Sequence, residues 1–241
     1  MKPRIIACIF ARGGSKGIPR KNLQEFGGKP LIAHSIACGL AVQGIERVVV
    51  STDDPEIAEV ARAHGAEVPF LRPAHLASDT ASEYLAWKHA IDELTQRTGI
   101  FDIMLSLPAT SPLRSVGDVQ NCLSELATHP DADAVITVQK AQRNPFFNMV
   151  KRDSGGFCYV VCAGDGVVRR QDAPPIFDIT TVAYAVRTSF IQRSNSLFEG
   201  RLRCVEVPKE RAVDIDDSLD LEWARFLLKQ SAIHEQPHEK S

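Results

Sequence analysis

Six apolar residues, Ile5 to Phe10, run directly into Ala11-Arg12-Gly13-Gly14-Ser15-Lys16-Gly17-Ile18-Pro19-Arg20-Lys21-Asn22, and this junction constrains the fold more than any other stretch of the chain. The apolar run, bounded by a Gly-rich turn, reads as a buried strand. Ligands of open α/β sheets gather beyond the carboxyl ends of their strands, and this loop leaves the first strand at that end. There Gly13, Gly14 and Gly17 let backbone amides approach a ligand, while Arg12, Lys16, Arg20 and Lys21 can neutralise several negative charges together. The same residues would also suit a solvated basic turn, but their position favours a polyphosphate. The loop lacks G-x-G-x-x-G, and Lys16 is followed by Gly17 where a Walker loop needs Ser or Thr. Both a P-loop NTPase and a dinucleotide-binding dehydrogenase are therefore disfavoured.

The segments that follow have βαβ syntax. A helix is expected from Pro30 to Ala41, a strand from Arg47 to Ser51, and a helix opened by Asp54-Pro55 and running toward Ala63. Asp79 or Thr80 is expected to cap a long helix in which Tyr84, Trp87, Ile91 and Leu94 recur at helical spacing and form core. Strands follow at Asp102 to Leu107 and Ala134 to Val138. After Val138 the pattern changes: Asn144 to Gly166 contains Gly155-Gly156 and the β-rich Phe157 to Cys162, which reads as a hairpin excursion. The main sheet resumes at Val182 to Val186 and Leu202 to Val207, and Ser218 is expected to cap a closing helix through Leu228. The fold class is α/β, a Rossmann-like, mostly parallel sheet flanked by helices. Residues 1–230 form one domain, 140–182 the β-rich excursion and 231–241 a flexible tail.

With 241 residues and a formal net charge of -2, the chain can bury a full core and carries no general electrostatic footprint for nucleic acid. No apolar stretch reaches the roughly 18 residues that span a bilayer, and no signal peptide is evident, so neither membrane nor nucleic acid is expected as partner and the location is cytoplasmic. The six cysteines lack metal spacing and read as reduced thiols.

Two further constellations carry chemistry. Thr110-Ser111-Pro112-Leu113-Arg114 places hydroxyls and a cation after a strand, either for a ligand or as a stiff turn capping the next helix. Asp214 and Asp216 stand two apart in an extended segment and so share a side, where they can hold a divalent cation or cap the closing helix, for which Asp217 and Ser218 are the better candidates.

These stretches together resemble the acylneuraminate cytidylyltransferase family, the CMP-sialic acid synthetases. The resemblance runs from Ile5 to about Leu228 and is carried by residues 11–22, Val-Ser-Thr-Asp at 50–53, Arg-Pro-Ala-x-Leu-Ala-Ser-Asp-Thr-Ala-Ser at 72–82, Thr-Ser-Pro-Leu-Arg at 110–114 and Asp-Ile-Asp at 214–216. It implies a nucleotide-diphospho-sugar transferase fold and a reaction in which CTP and a nine-carbon α-keto sugar acid give the CMP-sugar and pyrophosphate, with Mg²⁺ required. By position, Arg12, Lys16 and Lys21 would hold the triphosphate, with Ala11, Gly13 and Ser78 also at the nucleotide. Asn22, Arg72 and Ser82 would contact the cytidine. Asp214 and Asp216 would carry the metal and, with the three cations, form the catalytic set. The excursion would form a homodimer and bring Arg170 near the sugar, alongside Thr110, Ser111, Gln171, Asp178 and Thr181.

The departures fall on the sugar side. Pro108, Ala109 and Thr110 stand where sialic acid-using members carry Gln-Pro-Thr, and Phe177 to Tyr184 replaces an Asn-Gly-x-Ile-Tyr segment. A polar contact left unpaired can discriminate substrates by orders of magnitude, so these changes could redirect the enzyme to legionaminic, pseudaminic or another nonulosonic acid. A GTP-using enzyme of the same kind and a nucleotide-sugar-binding regulator without turnover remain as alternatives.

Overall fold

Ile6, Ala7, Cys8 and Ile9 have no solvent exposure, which requires neighbours on both edges and both faces of their strand. The computed structural model, which describes residues 2–162 and 169–234, supplies them. In chain order the elements are β1 (Ile5–Phe10), the short strands β2 (Glu25–Phe26) and β3 (Lys29–Pro30), α1 (Leu31–Ala41), β4 (Ile45–Ser51), α2 (Pro55–Ala63), α3 (Glu83–Thr98), β5 (Ile103–Ser106) and α4 (Val116–Thr128). There follow β6 (Ala134–Lys140), β7 (Val150–Arg152), β8 (Cys158–Val160), β9 (Phe177–Arg187), α5 (Thr188–Arg193), β10 (Leu202–Glu206) and α6 (Ser218–His234). The main sheet has the order β10-β6-β9-β5-β1-β4. It is parallel except for β9, which runs antiparallel to both β5 and β6. Among the described residues no helix is long and apolar enough to cross a membrane.

Strand alternation divides the core into two layers. Ile5, Ala7 and Ile9 pack with residues of α1, α2 and α4, whereas Ile6 and Cys8 pack with α3 and α5. Tyr84, Trp87, Ile91 and Leu94 lie in the second layer, as their spacing predicts. Each fully buried Ile or Leu contributes about 2 kcal/mol, so both layers are needed to hold β1 and the loop that leaves it.

The antiparallel strand shapes the end of the sheet where ligands gather. Opposite Thr137 the β6–β9 register shifts, and the buried Thr137 hydroxyl fills the gap, taking a hydrogen bond from the Ala183 amide at 3.1 Å and one from Thr180 Oγ1 at 2.8 Å. Bulges of this kind re-aim side chains near sites, and here Thr181 is brought against the loop after β5. That loop is held by Arg114, whose buried guanidinium donates to Val182 O at 2.7 Å, to Ser35 Oγ at 2.5 Å and to Pro108 O. Burial pushes Arg114 down to about 10, so it keeps its charge at neutral pH. Arg114 is thus a clamp within the fold rather than a cation offered to a ligand.

Several sequence expectations shift. β9 begins at Phe177, where Phe177, Asp178 and Ile179 pair with Lys140, Gln139 and Val138, so residues 177–182 belong to the main sheet and not to the excursion. The excursion does contain the expected hairpin, β7–β8, whose Val150, Tyr159 and Val160 are exposed. Its 163–166 portion lies outside the described residues. The closing helix continues to His234, beyond Leu228 and into the segment read as a tail, and residues 235–241 lie outside the described residues.

Replacing Arg114 with Met should leave Pro108 O, Val182 O and Ser35 without their buried donor and cost about 3 kcal/mol, read as a lower urea midpoint.

Candidate active site

Loop 11–20 is pinned to its neighbour before it can meet any ligand. Ala11 N donates to Ser51 O at 3.1 Å, Gly13 N to Asp53 Oδ1 at 3.0 Å, and Asn22 Nδ2 to Arg12 O at 3.0 Å. Asp53 and Asp54 follow β4, the strand beside β1, so the Val-Ser-Thr-Asp stretch acts as the loop's anchor. Arg20 takes a left-handed backbone (φ 55) and its guanidinium pairs with Asp54 and Glu56. It is a strut of the loop and not a cation facing a ligand, although the sequence groups it with the other three.

Two glycines are dictated by close approach. A Cβ on Gly13 would sit 2.5 Å from Asp54 Oδ2, and one on Gly17 only 2.1 Å from the carbonyl oxygen of Asp216, whereas one on Gly14 would meet nothing within 4 Å. Gly17 therefore lets the cationic loop lie directly on the acidic segment.

The result is a cleft of about 500 Å³ at the carboxyl ends of β1, β4 and β5. Its lining includes Arg12, Lys16, Lys21, Asn22, Arg72, Ser78, Asp79, Glu83, Thr110 and Asp216. Arg12 reaches Asp79 at 2.7 Å, Lys16 reaches the same carboxylate at 3.1 Å, and the largely buried Lys21 reaches Asp216 at 2.9 Å. The two cations hold the Asp79 carboxyl below its ordinary range. Arg72 is buried with its Nε unpartnered and its guanidinium 4.0 Å from Asp53; burial lowers its pKa, and Asp53 and Glu83 oppose that.

The acidic segment resolves its own ambiguity. Asp217 Oδ1 accepts the amides of Leu219 and Asp220 and so caps α6, while Asp220 accepts the amides of Asp216 and Asp217. Asp214 and Asp216 are left free of capping. Ile215 is buried between them, and its amide donates to Thr110 O at 2.9 Å, tying the segment to the β5 loop. Burial raises the Asp214 carboxyl, and nearby Asp216 adds to this, while the Thr110 and Thr181 hydroxyls and Lys21 pull the other way. Its Oδ1 is buried with no hydrogen-bond partner. Asp214 also lines a second cleft of about 430 Å³ with Gln139, Lys209, Asp220 and Trp223.

The remaining expected residues divide. Thr110 lines the first cleft, but Ser111 is buried and its hydroxyl is 2.6 Å from Thr181 Oγ1. Asp178 is exposed on β9 opposite Gln139. Arg170 and Gln171 share the short turn Arg170–Asp172, where Gln171 is exposed. Ser82 caps α3 by accepting the Tyr84 amide at 3.2 Å, the place expected for Asp79 or Thr80. Asp79 is thereby released to the cations. Asp79 and Glu83 are the cleft residues that sequence reasoning missed, and Asp53, which anchors the loop from behind the cleft, is a third residue it passed over. Asp53 and Asp79 stand inside quoted motifs, and Glu83 follows immediately after one.

Comparison with known proteins gives a consistent picture. A cytidylyltransferase family model matches residues 6–152. The CMP-N,N'-diacetyllegionaminic acid synthase of Campylobacter jejuni is 32% identical over 93% of this chain and 94% of that protein. The pseudaminic acid cytidylyltransferase of the same species is 31% identical over 92% of this chain and 95% of that protein. Among solved structures, CMP:2-keto-3-deoxy-manno-octonic acid synthetase complexed with CTP aligns with a TM-score of 0.71 over 95% of this chain and 99% of that one, at 21% identity, a likeness of fold.

Two outcomes follow for the acids. Asp214→Asn removes the cost of a buried charge, so it should raise the thermal midpoint while reducing turnover at least a hundredfold, the scale of a lost electrostatic contact at a reacting centre. Asp79→Ala frees Arg12 and Lys16, and since exposed ion pairs of this kind are weak, CTP should bind only a few-fold more tightly by calorimetry.

Proposed function

The chain belongs to the cytidylyltransferase family of enzymes, and on that premise we propose that it transfers CMP from CTP to a nine-carbon, sialic acid-like α-keto sugar acid, releasing pyrophosphate with magnesium required. The observation that carries this reading is the convergence of Arg12, Lys16, Lys21 and Asp216 on one cleft, with Asp214, whose buried Oδ1 has no hydrogen-bond partner, two residues from Asp216. Phosphoryl transfer asks a protein mainly for positioning and charge, and the cleft offers both.

Arg12, Lys16 and Lys21 hold the triphosphate, exchanging Asp79 and Asp216 for phosphate oxygens. Ala11 and Gly13 set the loop backbone beside it, and Ser78 stands on the same cleft wall. Asn22, Arg72 and Ser82 face the cytidine, with Arg72 Nε free to donate and the Ser82 hydroxyl able to donate its proton while still accepting the Tyr84 amide. Asp214 and Asp216 fit magnesium, since an orphaned buried carboxylate oxygen next to a second carboxylate suits an ion that completes its shell with water and substrate oxygens. When bound, the ion supplies positive charge to the phosphoryl oxygens. The acceptor's anomeric hydroxyl attacks the α-phosphorus, its proton passing to one of the two carboxylates or to water, while the bond from the α-phosphorus to pyrophosphate breaks and pyrophosphate leaves along Arg12 and Lys16. This direct displacement requires no covalent enzyme intermediate.

The acceptor side is assigned to Asp214 and the second cleft that it lines, with Thr110 and Thr181 beside Asp214, Ser111 hydrogen-bonded to Thr181 and Asp178 opposite Gln139 of that cleft; the family resemblance adds Arg170 and Gln171. Ser111 acts there through Thr181, which it orients. Legionaminic and pseudaminic acids are the favoured acceptors because the proteins that match the chain over nearly full length carry those names. The exposed Val150, Phe157, Tyr159 and Val160 support a homodimer through the β7–β8 hairpin, a patch that a lone subunit would leave in water. The enzyme works in the cytoplasm, where CTP is available.

Incubating the protein with CTP, Mg²⁺ and a panel of nonulosonic acids should release pyrophosphate with at least one of them, with CTP preferred over GTP in competition. Silence across the panel would sink the reading. Tyr159→Glu should shift the protein from dimer to monomer mass in light scattering.

A further inference from the structure

Glu83 lines the nucleotide cleft and has no part in the chemistry above. It is the first residue of α3, but the cap is already supplied by Ser82. Trp87 Nε1 donates to Glu83 Oε1 at 3.1 Å, which fixes the carboxylate; among the described residues Oε2 takes no hydrogen bond. Two opposite charges act on this carboxylate, Arg72 and Asp214. Arg72 lines the cleft among the residues assigned to the cytidine, and Asp214 stands beside it among those assigned to the metal at the reacting phosphate.

A bound nucleotide has three parts to offer Glu83. The triphosphate is excluded, because a carboxylate repels it. Between base and α-phosphate lies the ribose, whose 2′- and 3′-hydroxyls are two adjacent donors, and a carboxylate carries two acceptor oxygens. Cytosine, in contrast, offers its donors only at the exocyclic amine, on the base edge beyond the ribose. Carboxylates that read ribose hydroxyls are a recurring device of α/β nucleotide sites.

We propose that Glu83 is a specificity-determining residue that binds the ribose 2′- and 3′-hydroxyls of the nucleotide and selects ribonucleotide over deoxyribonucleotide. The assignment rests on the cytidylyltransferase reading of the cleft. Discrimination follows from charge-assisted hydrogen bonds that 2′-deoxy-CTP cannot complete.

Calorimetric binding of CTP, 2′-deoxy-CTP and UTP, without acceptor, to wild type, Glu83→Gln and Glu83→Ala tests it. Wild type should favour CTP over 2′-deoxy-CTP by roughly tenfold or more, Glu83→Gln should narrow that ratio, and Glu83→Ala should bring it to about threefold or less. The CTP to UTP ratio should stay unchanged throughout. Glu83→Gln keeps an acceptor for Trp87, so it decides the matter if the alanine variant fails to fold. An unchanged CTP to 2′-deoxy-CTP ratio in Glu83→Gln and Glu83→Ala overturns the proposal, as does a collapse of the CTP to UTP ratio in its place. Wild type that binds CTP but shows no ribose preference defeats this assignment alone, whereas wild type that binds no CTP defeats the underlying reading.

Discussion

The contact between Gly17 and the backbone carbonyl of Asp216 sets the spacing of everything around it. A Cβ on Gly17 would overlap that oxygen at 2.1 Å, so only glycine lets the cationic loop and the acidic segment meet. Lys21 then reaches Asp216, and Asp216 joins the wall of the cleft that holds Arg12 and Lys16. Neither strand of charge forms a site alone. Cations without the acids would bind any polyanion, and acids without the loop would be the start of a helix.

The cleft is close to electrically balanced as it stands. Arg12 and Lys16 share Asp79, Lys21 holds Asp216, and Arg20 is committed to Asp54 and Glu56. Exposed pairs of this kind are weak and exchange readily, so a triphosphate can take the place of Asp79 at little cost. The buried members behave differently. Arg72 and Asp214 each keep a polar atom without a partner, and a buried orphan is expensive unless something completes it. The strong and unsatisfied groups therefore mark where ligand contacts are worth most, while the paired ones mark where ligand displaces protein.

Much of the fold could be read along the chain because local patterns agree with the final structure. The apolar run of β1, the Asp54-Pro55 opening of α2 and the helical spacing of Tyr84, Trp87, Ile91 and Leu94 all emerge as expected. The misreadings share one cause, since each residue's partner lies far away in sequence. Asp79 looks like a helix cap until Arg12 and Lys16 arrive from the first loop. Arg114 looks like a ligand cation until Ser35 and Val182 close around it. Arg20 looks like its neighbours until Asp54 and Glu56 claim it.

By itself the sequence determined the residue types and their placement at strand ends: a flexible cationic loop after β1, a hydroxyl turn after β5 and a two-carboxylate segment before α6. Periodicity and glycine content suffice for that, because they act over a few residues. Only the tertiary structure decided which of those groups face the cleft, through the antiparallel β9 with its shift at Thr137 and the Ile215 amide that ties the acidic segment to Thr110 O. Those choices depend on hydrogen bonds between residues scores of positions apart, and local pattern carries no record of them.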